Sequence, residues 1–171
     1  KLKFIGITGT NGKTTCAHII SELLKYSGKN VATVGTMGVS YNGNVRDYDM
    51  TTPDADILQR EFAGMVKSGV EYVVMEVSAH ALDQKRVEGF LFDVGVLTNI
   101  TQDHLDYFHT MEEYKNTKLK FFSPNFVKSA VICSDDESGL KLMKNCPVPA
   151  IFYGIRNISD VFAVNIQESL N

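Results

Sequence analysis

The stretch Gly9-Thr10-Asn11-Gly12-Lys13-Thr14-Thr15 constrains this chain more than any other. It follows Phe4-Ile5-Gly6-Ile7-Thr8, an apolar run that reads as a buried strand. It opens Thr14–Tyr26, which reads as a helix with Ala17, Ile20 and Leu24 at helical spacing and Gly28 as a stop. A glycine-rich turn between strand and helix lets backbone N–H groups approach an anion closely, and the helix N-terminus adds a favourable partial charge. In such a loop Lys13 reaches the β- and γ-phosphates, and the Thr14 hydroxyl can ligate magnesium. The chain is therefore expected to hold a nucleoside triphosphate, ATP with Mg2+. The spacing departs from G-x-x-x-x-G-K-[ST]: the first glycine position is Ile7, and glycines fall at Gly6 and Gly9 instead. The plainer alternative is a glycine-rich turn with a lysine there by chance.

The rest of the chain alternates in the same way. Val31–Gly35, Tyr72–Val77, Val94–Leu97, Ala130–Cys133 and Ala150–Tyr153 read as strands. Asp54–Lys67, Met111–Phe122 and Glu137–Lys144 read as helices, the first turning Leu58, Phe62 and Met65 inward. Tyr41-Asn42-Gly43-Asn44-Val45 reads as a hairpin turn, because Asn-Gly tolerates the positive backbone angles required. Val161–Ile166 reads as an edge strand or the start of a further domain. Alternating strand and helix predicts an α/β fold: a doubly wound, mostly parallel sheet with helices on both faces, P-loop NTPase-like. Ligand sites in such sheets lie beyond the carboxyl ends of the strands. Besides the glycine loop, Glu76-Val77-Ser78, Thr98-Asn99 and Ser134-Asp135-Asp136 occupy that position.

Composition narrows the function classes. The 171 residues suit one domain, and 44% hydrophobic with 22% charged is ordinary for a globular protein. A net charge of −3 excludes a nucleic-acid partner held by bulk charge. No apolar run approaches a membrane span, and no signal peptide is visible. Cys16, Cys133 and Cys146 fit neither a disulfide framework nor a zinc knuckle, and read as reduced thiols of a cytoplasmic protein. The chain begins at Lys1, inside a strand-like run, so it is expected to be a piece of something longer. Oligomeric state does not follow from the sequence.

Several polar groups admit two readings. Glu76 ends an apolar strand, where a carboxylate needs a cation or a donor; it either meets nucleotide-bound magnesium or points into solvent. His104, within Thr98–Asp106, could ligate a metal or be a surface histidine beside a capping aspartate. Lys118 reads from its neighbours as part of a solvated helix face. Thr51-Thr52-Pro53 is either a helix start or a pair of hydroxyls offered to a ligand. Arg86 either grips a phosphate or carboxylate, or sits at a helix end.

Together these segments resemble the Mur ligase family. Gly6–Thr15 matches its ATP loop, including the shifted glycine. Met75-Glu76-Val77-Ser78-Ala79-His80-Ala81-Leu82, Thr98–Tyr107 and Met111–Lys118 follow in the family's order. Thr51-Thr52-Pro53 and the spacing of Ser78, Gln84 and Arg86 resemble the member that adds the third residue of the peptidoglycan stem peptide. The resemblance implies that Gly9, Thr10, Asn11, Gly12, Lys13, Thr14 and Thr15 hold ATP. It implies that Glu76 ligates one magnesium with Thr14, and that His104 and a carbamylated Lys118 hold a second. It implies that Thr51, Thr52, Ser78, Gln84 and Arg86 contact UDP-MurNAc-dipeptide, to which an amino acid, diaminopimelate or lysine, is joined. Residues 1–171 would be the central domain, between an N-terminal uridine-binding domain and a C-terminal amino-acid-binding domain. Ala79 departs from the family's frequent serine there. Competing expectations are a folylpolyglutamate synthase-like ligase, a P-loop kinase or NTPase, and a nucleotide-binding module without catalysis.

Overall fold

The computed structural model describes residues 1–157 and 159–167. The strands are β1 (Lys3–Thr8), β2 (Val31–Gly35), β3 (Gly38–Tyr41), β4 (Asn44–Arg46), β5 (Tyr72–Glu76), β6 (Val94–Leu97), β7 (Ala130–Cys133), β8 (Ala150–Gly154) and β9 (Val161–Phe162). The helices are α1 (Lys13–Tyr26), α2 (Ala55–Lys67), α3 (Ala79–Asp83), α4 (Leu105–Phe108), α5 (Met111–Leu119) and α6 (Glu137–Lys144). They form one sheet in the order β4-β3-β2-β5-β1-β6-β7-β8-β9. From β2 to β9 the neighbours pair in parallel; β3 and β4 extend the other edge as an antiparallel hairpin. The doubly wound, mostly parallel sheet expected from the alternation is the sheet observed.

Alternation along the central strands explains why helices cover both faces. Ile7, Val74 and Val96 turn to one side and pack with Ala17 of α1. Val73, Met75 and Leu97 turn to the other, into a larger core with Leu58, Phe62 and Met65 of α2. The three inward residues expected for that helix are all buried. The Asn42-Gly43 turn has φ of 51° and 75°, the positive pair that a tight hairpin needs.

Three local readings are corrected. The helix expected over Met111–Phe122 is α-helical to Leu119 and then tightens into a 3-10 turn, Lys120–Phe122. Pro124 disfavours helical backbone at Ser123, so the last turn closes tightly. Two short helices, α3 and α4, escaped the sequence, because four or five residues cannot display a helical period. The Val161–Ile166 strand is confined to Val161–Phe162, at the sheet edge.

Ser134-Asp135-Asp136 lies at the carboxyl edge as expected, yet its carboxylates serve the fold. Asp136 accepts the Gly139 N–H at 2.8 Å, capping α6, and the Ile100 N–H at 2.8 Å. Asp135 accepts from the N–H groups of Ile155, Arg156 and Asn157.

Gly139 allows α6 to lie against β7. A Cβ there would sit 1.7 Å from the Cys133 carbonyl oxygen, and backbone cannot swing aside as a side chain can. Alanine gains about 1 kcal/mol of helix propensity, but overpacking costs about 1–3 kcal/mol. We expect Gly139→Ala to show a net loss of up to about 2 kcal/mol in urea denaturation; a net gain would contradict this packing.

Candidate functional site

The loop after β1 is shaped by the loop after β6. Gly9 and Gly12 have φ of 147° and 83°, which side chains other than hydrogen strain to adopt. A Cβ on Gly9 would also lie 1.9 Å from Thr98 Oγ1. The Thr10 N–H donates to the Asn99 carbonyl at 2.8 Å, and the Asn11 N–H to Asn99 Oδ1 at 3.0 Å. In return Thr98 Oγ1 and Asn99 Nδ2 donate to the Asn11 carbonyl at 2.7 and 3.1 Å. The Thr10 hydroxyl accepts from the Thr101 N–H and lies 3.1 Å from the Tyr114 hydroxyl.

This clamp divides the expected phosphate loop in two. Thr10 and Asn11 spend their N–H groups on Asn99 and set the loop's shape. The N–H groups of Gly12, Lys13, Thr14 and Thr15 precede the first intrahelical bond of α1, from Cys16 N–H to the Gly12 carbonyl. Gly12 is the N-cap and no side chain caps this end. An uncapped helix start at the carboxyl edge of the sheet is suited to an anion.

Glu76 ends β5 beside that helix start and is 2% exposed, so the solvent-pointing alternative fails. Burial of a carboxylate requires donors, and it has them. Thr14 Oγ1 donates to it, 3.0 Å from both oxygens. The Thr36 N–H donates to Oε1 at 3.0 Å, and Thr36 Oγ1 to Oε2 at 3.3 Å. Lys13 folds back instead of reaching outward: its Nζ donates to the carbonyls of Gly9 and Thr10 at 2.9 and 2.8 Å. Burial lowers its pKa, while Glu76 and Asp103 raise it.

Lys118 overturns the solvated-face reading. It is 1% exposed and shares the inner face of α5 with Tyr114 and Thr117. Its Nζ donates to the Gly9 carbonyl at 2.9 Å and lies 4.9 Å from the centre of the Tyr114 ring. The same carbonyl thus accepts from both Lys13 and Lys118. Burial, then the charge of Lys13, push the Lys118 pKa from 10.5 to about 7, against an opposing pull from Asp103. The misreading has a physical origin: Met111, Tyr114 and Lys118 follow helical spacing, but the last core position holds a lysine.

The remaining candidates gather on two sides. His104 is half-exposed with φ of 52°, and its Nε2 lies 3.4 Å from Asp103 Oδ2. Its ring meets that of His80 edge-on at 4.9 Å; burial, then His104 and Arg86, lower the His80 pKa. On the other side Thr52 is fully buried, donating to the Glu76 carbonyl at 2.9 Å and accepting the Ser78 N–H at 3.0 Å. Its hydroxyl ties the loop to β5, and of the expected pair only Thr51 retains partial exposure. Ser78 Oγ caps α3 by accepting the Ala81 N–H. Arg86 donates to the Thr52 carbonyl at 2.8 Å and to Gln84 Oε1 at 2.5 Å, and pairs with Asp54 through Nε at 3.1 Å. The structure therefore brings Thr51, Thr52, Ser78, Gln84 and Arg86 to one side of Glu76.

Among the described residues, no three His, Cys, Asp or Glu side chains converge as a metal cage. A nucleotide-bound magnesium does not need one, since phosphates and water complete its shell around one or two protein ligands. Thr14 and Glu76 fit that requirement. A cleft of about 400 Å³ runs past them along α1, β2 and β3. A larger cleft of about 660 Å³, between α5 and α6, touches none of these groups. The sequence reading missed Gly35, Thr36 and Tyr114. Gly35 ends β2 and Thr36 follows it at the same carboxyl edge, the signal that located the others.

Fold and site together define a P-loop NTPase-like domain. A family profile described as "Mur ligase middle domain" matches residues 7–171, and the chain belongs to that family. The UDP-N-acetylmuramoyl-L-alanyl-D-glutamate--2,6-diaminopimelate ligase of Bacillus cereus is 46% identical over 97% of this chain and 35% of its own length. The ligase of that name from Parabacteroides distasonis is 41% identical over 99% of this chain and 35% of its own. A solved structure of a ligase of that name superposes with a TM-score of 0.83 at 33% identity, covering 94% of this chain and 34% of that one. Mycobacterium tuberculosis folylpolyglutamate synthase, solved with ADP and AMPPCP, shares the fold at a TM-score of 0.67 and 16% identity, over 91% of this chain and 45% of that one. The chain spans about a third of the length of the curated relatives it matches.

Lys118 carries a pH signature. Its unfolded pKa of 10.5 exceeds its folded value of about 7, so between those values the unfolded state binds more protons. Stability must then rise with pH across that window. Between about pH 6 and about pH 9, the protein should gain about 2–3 kcal/mol relative to Lys118→Met in urea denaturation. A pH-independent difference would refute the neutral amine.

Proposed function

We propose that this chain is the ATP-handling domain of a peptidoglycan-precursor ligase. The ligase joins an amino acid, diaminopimelate in the relatives' names, to UDP-N-acetylmuramoyl-L-alanyl-D-glutamate. The uridine and the amino acid bind to domains outside these residues, and the protein works in the cytoplasm. Among the described residues, no helix is long and apolar enough to cross a membrane.

One observation carries the ligase reading over a plain P-loop kinase: the buried amine of Lys118 at the phosphate loop, its charge suppressed. A lysine that is partly neutral near pH 7 can add carbon dioxide. One N–H proton is lost and an N–C bond forms, giving a carbamate, an anionic oxygen donor. With His104 across the loop, that donor would hold a second magnesium; Thr14 and Glu76 would hold the first. Magnesium supplies charge neutralisation between two anionic reactants.

The chain's own groups divide the rest of the work. The N–H groups of Gly12–Thr15 receive phosphate oxygens, and Lys13 leaves the carbonyls of Gly9 and Thr10 for the terminal phosphates. Thr51, Ser78, Gln84 and Arg86 orient the acceptor peptide, while Thr52 supports them from below. The acceptor carboxylate then attacks the γ-phosphorus, the bond to ADP breaks, and an acyl phosphate forms. The amine of the incoming amino acid displaces phosphate and loses a proton, leaving an amide.

In the full-length protein, Lys118→Ala should lower ligation by about 10²-fold or more, and a small carboxylate such as formate should restore part of it. Unimpaired turnover would remove the carbamate from the mechanism. ADP release that proceeds equally without an amine acceptor would instead favour the kinase or NTPase reading, and productive binding of a folate would favour the folylpolyglutamate one.

A further inference from the structure

We propose that Thr36 is a positioning residue: it fixes the Glu76 carboxylate in the orientation that meets a nucleotide-bound divalent cation, and links it to Thr51 on the acceptor side. This rests on the reading above that Glu76 faces that cation.

The geometry is a two-point hold. β2 pairs in parallel with β5, Val34 opposite Met75, so the chain leaving β2 runs alongside Glu76. There the Thr36 N–H takes Oε1 and the Thr36 hydroxyl takes Oε2. One donor would leave the carboxylate free to rotate; two donors from one residue, one per oxygen, select a single plane. The peptide N–H is fixed by the strand end and cannot follow a turning side chain. Gly35 makes the approach possible, because a Cβ there would lie 2.2 Å from Oε1. Thr14 meets the same carboxylate from α1, leaving Thr36 as its anchor on the β2 side.

The hydroxyl chain also has a direction. A carboxylate accepts and has no proton to give, so Thr36 Oγ1 must donate to Glu76. Thr36 Oγ1 lies 3.1 Å from Thr51 Oγ1, so Thr51 must donate to Thr36. Thr51 then has no proton left, and it faces a ligand as an acceptor. The chain selects an N–H or O–H donor on the acceptor substrate at this point. It also couples that contact to the carboxylate beside the phosphates.

The test uses the full-length protein with Thr36→Val, which removes the hydroxyl and keeps the N–H, Thr36→Ser, which keeps both, and Gly35→Ala, which crowds the carboxylate. Mn2+ binding in the presence of ADP is read by electron paramagnetic resonance, and ADP binding is read separately in excess chelator. Thr36→Val and Gly35→Ala should weaken Mn2+ binding about 10-fold, with Thr36→Ser within about 2-fold of the unaltered protein. ADP binding without metal should not change. A metal-free crystal structure of Thr36→Val should show Glu76 turned from its present orientation. Mn2+ binding unchanged in Thr36→Val, or lost equally in Thr36→Ser, would overturn the proposal, as would an unmoved Glu76 in that crystal. Absence of Mn2+–ADP binding in the unaltered protein would instead overturn the nucleotide reading on which the proposal stands.

Discussion

The carbonyl oxygen of Gly9 accepts from two amines, one on each of two helices. Much of the site follows from that contact. It brings α5 down onto the start of α1 and places two potential positive charges close together in a poorly hydrated space. Both cannot remain fully charged there without cost, and the more deeply buried one, Lys118, is the one pushed toward neutrality. Tyr114 completes the joint, with its ring beside Lys118 and its hydroxyl on Thr10. The glycine loop and the buried amine of Lys118 are therefore held together as one packed unit.

Sheet topology supplies the two banks of the cleft. β1 lies between β5 and β6, so its loop is flanked by Glu76 on one side and Thr98–Thr101 on the other. The crevice beyond these strand ends is where open α/β sheets bind ligands. The β6 side shapes the loop by hydrogen bonding to its backbone. The β5 side carries the buried carboxylate and, behind it, the segment Thr51–Asp54 pinned by Thr52 and Arg86. The Mur ligase middle domain match spans residues 7–171 and so takes in every segment that lines this crevice beyond β1, β5 and β6.

Much of this was legible in the chain itself, and the failures share a cause. The central strands, the inward residues of α2 and the hairpin turn follow from local rules of period and backbone angle. Lys118 was misread because composition says how soluble a segment is, not which face its neighbours cover. Thr52 admits two readings from sequence, a helix start or a hydroxyl offered to a ligand, and Ser134-Asp135-Asp136 reads only as lying at the ligand edge of the sheet. In each case the partners that consume the polar groups come from remote segments: Glu76 and Ser78 for Thr52, Ile100 and Ile155–Asn157 for the aspartates. Gly35 and Thr36 were missed because neither residue type announces itself; their importance lies in the space and donors they give Glu76.

The sequence by itself determined that a strand, a glycine turn and a helix would form, with an uncapped helix start after the turn. Every requirement there is local: positive φ at the glycines, free N–H groups at a helix start, a lysine and a threonine one position apart. Tertiary structure decided which of those N–H groups remain free, whether Glu76 faces solvent or donors, and what charge Lys118 carries. Those properties depend on desolvation and on partners as distant as 109 residues along the chain. Local pattern cannot encode them, because burial exists only once the two helices and the sheet have closed around the same carbonyl.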